Sequence, residues 1–191
     1  DYMHIDTVFT QVKKDVWVML GNFSKKAIKN ENSDAVKRLL LGNKKDKDEK
    51  LRIMQFRRKD IENPKHFDNL EDLLRDISEN DLGCTEKVRF IYSGNNEFPF
   101  DAREQWTDSC NLLALREGVV LGYDRNDKTE EAFRENGFTI IEAKDIIEGC
   151  ENGTLDIDDL RDTLIVMPSA ELSRARGGFH CMSMPLLRDD I

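Results

Sequence analysis

The chain has 191 residues, a formal net charge of −9 and 35% charged side chains. This length suits one domain or part of a larger one, and the acidic balance argues against nucleic acid as the main partner. The four cysteines and three histidines make no zinc pattern and no disulfide framework, which points to a reducing, cytoplasmic setting. No apolar run nears the ~20 residues that a membrane span needs, and no secretory signal opens the chain.

Thr7 to Val12 and Val16 to Leu20 read as two short strands joined by a turn at Lys13-Lys14-Asp15. Asn22 to Asn32 reads as loop, Ala35 to Leu41 as a short capped helix, and the alternating-sign run Asn43 to Lys50 as a solvated loop. Leu51 to Phe56 alternates like a half-buried strand. Leu70, Leu73, Leu74 and Ile77 then mark an amphipathic helix over Leu70 to Ser78. Val88 to Tyr92 is a strand, followed by a turn at Ser93 to Asn96. Asn111 to Leu115 and Val119 to Tyr123 form a second hairpin around Glu117-Gly118. Asn126 or Asp127 caps a helix through Glu135, which stops at Asn136-Gly137, and Thr139 to Glu142 returns as a strand. Short helices over Lys144 to Gly149 and Ile157 to Arg161 flank a loop, and Leu164 to Met167 is the last strand. Strand, strand, helix, strand thus occurs over residues 7–56 and again over 111–142, a repeat that predicts an α/β (α+β) fold.

Three constellations carry chemistry. Glu171 to Arg188, ELSRARGGFHCMSMPLLR, reads as a flexible cationic loop that delivers Cys181 onto a strand end. A thiol is a nucleophile only as its thiolate, and positive charge from Arg174, Arg176 or His180 favours that form. The alternative for Cys181 is an inert, half-buried residue. His4 and Asp6, placed at the head of a strand, share one side and can face one pocket. There a histidine moves protons and a carboxylate grips a cation. On an extended segment His180 faces away from Cys181, so it reads as a packing residue or one that supports the site from behind, not as the base. Trp106 to Asn111 reads as a hydrogen-bonded corner around a buried tryptophan.

These segments resemble the arginine deiminase family, part of the guanidine-modifying (pentein) group. MHIDTVFTQV is similar to its HxD segment, EQWTDSCNLLALREGVVLGYDRN to its Trp-x-Asp hairpin and following turn, and ELSRARGGFHCMSMPLLR to its nucleophile loop. The resemblance implies an α/β-propeller built from ββαβ repeats, with about half of it in residues 1–191 as a single unit. It also implies conversion of L-arginine to citrulline and ammonia without a metal. Cys181 would attack the guanidinium carbon and form an amidino-thioether. His4 would protonate the departing ammonia and then activate water. Asp6 would bind the guanidinium edge, and Arg176 would sit near the substrate.

One departure stands out. The family uses a further guanidinium-binding aspartate in a Phe-Thr-Arg-Asp type of segment, whereas here Phe9-Thr10 runs into Gln11-Val12. The chain begins at the HxD segment, so the sequence reading takes it as a C-terminal part lacking the upstream half, with little or no activity alone. The alternatives are an amidinotransferase or agmatine deiminase. The single Phe179 between Gly178 and His180 disfavours the latter. A non-catalytic module that pairs with itself or with a missing half through exposed strand edges is the third reading.

Overall fold

The computed structural model describes residues 4–23 and 53–186. The helix expected over Ala35 to Leu41 and the charge run Asn43 to Lys50 lie outside them. The sequence reading treats residues 1–191 as one unit, whereas the structure divides into two compact ones. One comprises residues up to Leu20 together with Val88 onward; the other is Gly21–Lys87.

The strands are β1 (Phe9–Lys13), β2 (Val16–Met19), β3 (Ile53–Arg57), β4 (Asp60–Phe67), β5 (Arg89–Tyr92), β6 (Leu113–Arg116), β7 (Val119–Tyr123), β8 (Thr139–Glu142) and β9 (Thr163–Met167). The helices are α1 (Leu70–Asp76), α2 (Phe100–Trp106), α3 (Asp127–Glu135), α4 (Ala143–Glu151) and the single turn α5 (Phe179–Met182). The described residues therefore form a mixed α/β fold with several sheets, none of them closed.

The larger unit holds two sheets, ordered β1-β2-β5 and β6-β7-β9-β8. Each begins with an antiparallel hairpin, and the register shifts at the same place in both, between Gln11 and Lys13 and between Ala114 and Arg116. The second strand of each hairpin then pairs in parallel with a later strand, β2 with β5 and β7 with β9. The repeat is real, but its third strands are Arg89–Tyr92 and Thr163–Met167, not the expected Leu51 to Phe56 and Thr139 to Glu142. In the second sheet the reason is burial. A strand flanked on both sides and covered on both faces needs a continuous apolar run, and TLIVM meets that requirement with four buried residues. TIIE has none and forms the outer edge as β8.

The hairpins are tied together at their turns. Gly118 N donates to Val12 O at 2.9 Å, and Lys13 Nζ lies 3.0 Å from Asp162 Oδ1. Helix α3 packs the fully buried Phe133, whose ring meets Phe138 edge-on at 5.1 Å.

In the smaller unit β3 and β4 form a hairpin, and Asn69 caps α1 by accepting Asp72 N at 2.9 Å. The sequence reading missed β4, whose Pro64, Lys65 and Asp60 disguise a largely exposed strand.

Candidate active site

Both of the sequence-predicted catalytic segments fold differently from the expectation. Ile5–Thr7 is a 3-10 turn, not the head of a strand, and β1 starts only at Phe9. The His4 carbonyl accepts Thr7 N at 3.3 Å and Thr7 Oγ1 at 2.7 Å, which closes that turn. The rule that residues two apart share a side therefore does not apply to His4 and Asp6. Cys181 likewise sits within the short helix α5, not on a strand end. Because the segment is helical, the reason for turning His180 away from the site is also lost. His180 Nδ1 lies 2.9 Å from Asp6 Oδ2, a contact across 174 positions of sequence. The other oxygen of Asp6, Oδ1, is buried without a hydrogen-bond partner.

The loop that carries Cys181 leaves β9 and is held at three points. Gly177 N donates to Asp108 Oδ2 at 2.7 Å. The Tyr123 hydroxyl, at the end of β7, donates to the Gly177 carbonyl at 3.0 Å. Cys181 N donates to Asn111 Oδ1 at 3.1 Å. Tyr123 also packs its ring against Phe179 at 4.7 Å, so the loop has an apolar anchor beside its polar ones. Burial, and then negative charge on Asp108 and at Cys181, push the Tyr123 hydroxyl above its ordinary range, which keeps it a donor at neutral pH.

The two glycines serve different needs. Gly177 has φ 111, a conformation that L side chains rarely adopt. Gly178 has an ordinary φ, but a Cβ there would stand 2.4 Å from the Asn111 carbonyl oxygen.

Arg176, just before the glycines, has φ 65 and stacks its guanidinium over the Trp106 ring at 4.4 Å. A non-glycine residue in this region is strained and needs support from its surroundings; the stacking supplies some. Arg174 instead pairs with Glu171 at 3.1 Å on the exposed surface.

Trp106 is exposed, which corrects the expectation of a buried tryptophan. The buried members of its segment are Asp108, Ser109, Cys110 and Asn111. Upstream, Glu104 is fully buried and accepts Lys128 N at 3.0 Å, Thr129 N at 2.8 Å and Thr129 Oγ1 at 2.8 Å at the start of α3. The corner is therefore real, and its polar side chains are spent on the Cys181 loop and on α3.

The structure thus brings together Asp6, His180, Arg176, Cys181 and the Trp106–Asn111 segment, all within the larger unit. His4 is exposed, and no hydrogen bond joins it to Cys181 among the described residues. Asp108, Asn111 and Tyr123 are the residues whose role at the site sequence reasoning missed. A polar Asp-x-x-Asn before a hairpin looked purely structural because its partners lie about 70 positions away. Of the other cysteines, Cys150 is exposed, Cys84 half-buried and Cys110 buried, and burial pushes the Cys110 thiol up to about 12. Among the described residues no group of three or more His, Cys, Asp or Glu side chains is placed to hold a metal ion, and no helix is long and apolar enough to cross a membrane.

A mixed α/β unit that presents a cysteine loop against an HxD turn and a Trp-x-Asp hairpin is the combination expected of a guanidine-modifying family. The family model described as arginine deiminase matches residues 1–188, and the chain belongs to that family. An arginine deiminase of Borrelia garinii subsp. bavariensis is 32% identical over 194 residues, covering all of this chain and 34% of the relative. Arginine deiminases of Staphylococcus haemolyticus and Staphylococcus aureus are 32% and 30% identical, again over the whole chain and 35% of their own length. The chain therefore spans about a third of the length of the curated relatives it matches.

Proposed function

We propose that this chain carries the nucleophile-bearing part of an enzyme that hydrolyses L-arginine to L-citrulline and ammonia. The observation that supports this most is the joining of the HxD turn to the cysteine loop through Asp6 and His180, which places a carboxylate next to the residue preceding Cys181. In this reading the Cys181 thiolate adds to the guanidinium carbon, forming a carbon–sulfur bond. Collapse expels one nitrogen as ammonia, with His4 supplying the proton. Water, activated by the same histidine, then adds to the amidino-thioether, and the thiolate leaves to give the ureido product. Asp6 grips one edge of the planar cation by charge-assisted hydrogen bonds. Its unpartnered Oδ1 is free for that task while Oδ2 holds His180. Arg176 would meet the substrate on leaving Trp106. The two sheets, each with its hairpin and parallel third strand, are read as successive blades of the family's propeller.

One carboxylate and no opposite wall bind a guanidinium weakly, and loss of one member of a catalytic unit costs orders of magnitude in rate. The 191 residues alone are therefore expected to turn over little or no arginine. A chimera tests the reading: this chain replaces the matching third of the Borrelia garinii relative, and citrulline is measured. Turnover should appear in the chimera and vanish with Cys181→Ser. Robust turnover by the isolated chain, or by the Cys181→Ser chimera, contradicts the proposal. Competition with an added amine separates hydrolysis from amidino transfer, because only transfer yields a new guanidine.

A further inference from the structure

Asn111 is 99% buried and faces the Cys181 loop in two ways. Its Oδ1 accepts the Cys181 amide at 3.1 Å. Its carbonyl oxygen, Oδ1 and Cβ press against Gly178, where an added Cβ would come within 2.4, 2.5 and 2.6 Å of them. Its own backbone is pinned as well, because Asn111 N donates to Asp108 O at 2.9 Å. Yet Nδ2 of the same side chain is buried and has no hydrogen-bond partner. A buried amide donor left unpaired costs about 1–3 kcal/mol, so its retention calls for an explanation. An asparagine used only to accept the Cys181 amide would need no donor there.

We propose that Asn111 is a positioning residue for Cys181: Oδ1 holds the cysteine backbone, and Nδ2 is the fixed donor toward which the exposed sulfur swings when it carries negative charge. The amide is one planar group, so the donor lies a few ångströms from the residue its acceptor already holds. In this proposal the donor has no partner while the thiol is neutral and gains one when the thiolate forms or departs, which is the kind of preorganised stabilisation a charged intermediate uses. The inference rests on Cys181 being the nucleophile.

The test is alkylation of the 191-residue chain by iodoacetamide at fixed neutral pH, with modification of Cys181 and of the exposed Cys150 followed separately by mass spectrometry. Cys150 serves as an internal reference. Asn111→Asp keeps the Oδ1 acceptor and the shape but exchanges the donor for a charged oxygen. The expected result is a Cys181-to-Cys150 rate ratio reduced at least tenfold, with unchanged circular dichroism. An unchanged ratio in a folded Asn111→Asp chain overturns the proposal.

The wild-type chain provides a second measurement that needs no variant at Asn111. The Nδ2 proton signals of Asn111 in nuclear magnetic resonance should move when the Cys181 thiol is titrated, and should stay fixed in Cys181→Ser. Signals that ignore the state of Cys181 overturn the proposal even if Asn111→Asp fails to fold. Failure of the nucleophile reading itself shows differently, as turnover that survives Cys181→Ser in the chimera.

Discussion

Gly178→Ala should separate the stability of the fold from the placement of its thiol. The new Cβ would stand 2.4 Å from the Asn111 carbonyl oxygen, 2.5 Å from Oδ1 and 2.6 Å from Cβ. Comfortable carbon–oxygen contact begins near about 3.3 Å, so roughly 1 Å of movement must be found. Asn111 cannot supply it, being 1% exposed and bonded to Asp108 through its own N–H. The backbone of Gly178 is not itself the difficulty, since φ −87 and ψ −168 suit alanine. If the structure absorbed the clash in place, the cost would be about 1–3 kcal/mol of overpacking. The loop is more open on its Cys181 side, where Cys181 is exposed. The segment Gly178 to Cys181 therefore moves outward and gives up the Cys181 N to Asn111 Oδ1 bond, worth about 1 kcal/mol. A reacting atom displaced by about 1 Å costs on the order of 100-fold in rate. Thermal unfolding should show a loss of about 1–2 kcal/mol, while citrulline turnover in the chimera falls about 100-fold. Turnover within threefold of the parent, with the same unfolding midpoint, would refute the argument. Gly177→Ala is the informative contrast. Its Cβ meets only Cys181 Cβ at 3.5 Å, so its cost comes from φ 111 alone, about 1–2 kcal/mol of backbone strain.

Glu104→Ala should lower stability by about 3 kcal/mol, because it strips a fully buried acceptor from Lys128 N, Thr129 N and Thr129 Oγ1; denaturant unfolding measures this, and a loss below about 1 kcal/mol would show that α3 does not depend on that cap. Trp106→Ala removes the ring beneath Arg176, worth about 0.5–1 kcal/mol at an exposed site, so tryptic cleavage after Arg176 should rise roughly two- to fivefold with other sites unchanged. Alkaline pH should also loosen the larger unit. The Asp162 carboxylate raises Lys13, and burial raises Tyr123. Each folded value lies above its unfolded one, so the stability linked to both groups is intact below about pH 10 and is lost as pH climbs through the folded values. The thermal midpoint should be level up to about pH 9.5 and fall beyond it, more shallowly in Lys13→Met; a midpoint that rises with pH contradicts the assignment.

The strands and the larger helices were readable because their signals are local. VWVML, VVLGY and the LIVM of β9 are continuous apolar runs, and each became a buried central strand. Helix α3 announced itself with Asn-Gly after its last turn, and α1 with apolar residues at helical spacing. Helix α2 did not, since FDAREQW has no apolar stripe and its single buried residue is Glu104, a charge held by the adjacent Arg103 and by donors of α3 far along the chain. The same limit governed the site. Cys181, Asp6 and Arg176 stood out through residue type and motif. The conformation of their segments did not: the 3-10 turn at Ile5–Thr7 is closed by short-range bonds to the His4 carbonyl that leave no periodic signal, and the helical turn at Phe179–Met182 is held by the tertiary bond from Cys181 N to Asn111 Oδ1.

The placement of the cysteine follows from how those tertiary bonds are distributed. Glu104, Trp106, Asp108 and Asn111 lie within eight residues, yet each engages a different neighbour: α3, Arg176, Gly177 and Cys181. A helix followed by a tight turn points successive side chains in divergent directions, and the left-handed Asp108, at φ 53, makes that turn. A single segment thus orients the arginine, the glycine hinge and the thiol relative to one another. A shift of this segment would displace all three together, so the loop can be long and glycine-bearing and still present Cys181 in one position. Asp6 approaches through a separate element, and among the described residues its hydrogen bond to the loop is the one to His180. The relative geometry of thiol and carboxylate therefore depends on that contact and on the bonds that join the two sheets, among them Gly118 to Val12, Thr10 to the Cys110 carbonyl, Lys14 to Glu117 and Lys13 to Asp162. Those bonds hold the two sheets in register, and through the sheets they set the distance between the two halves of the site.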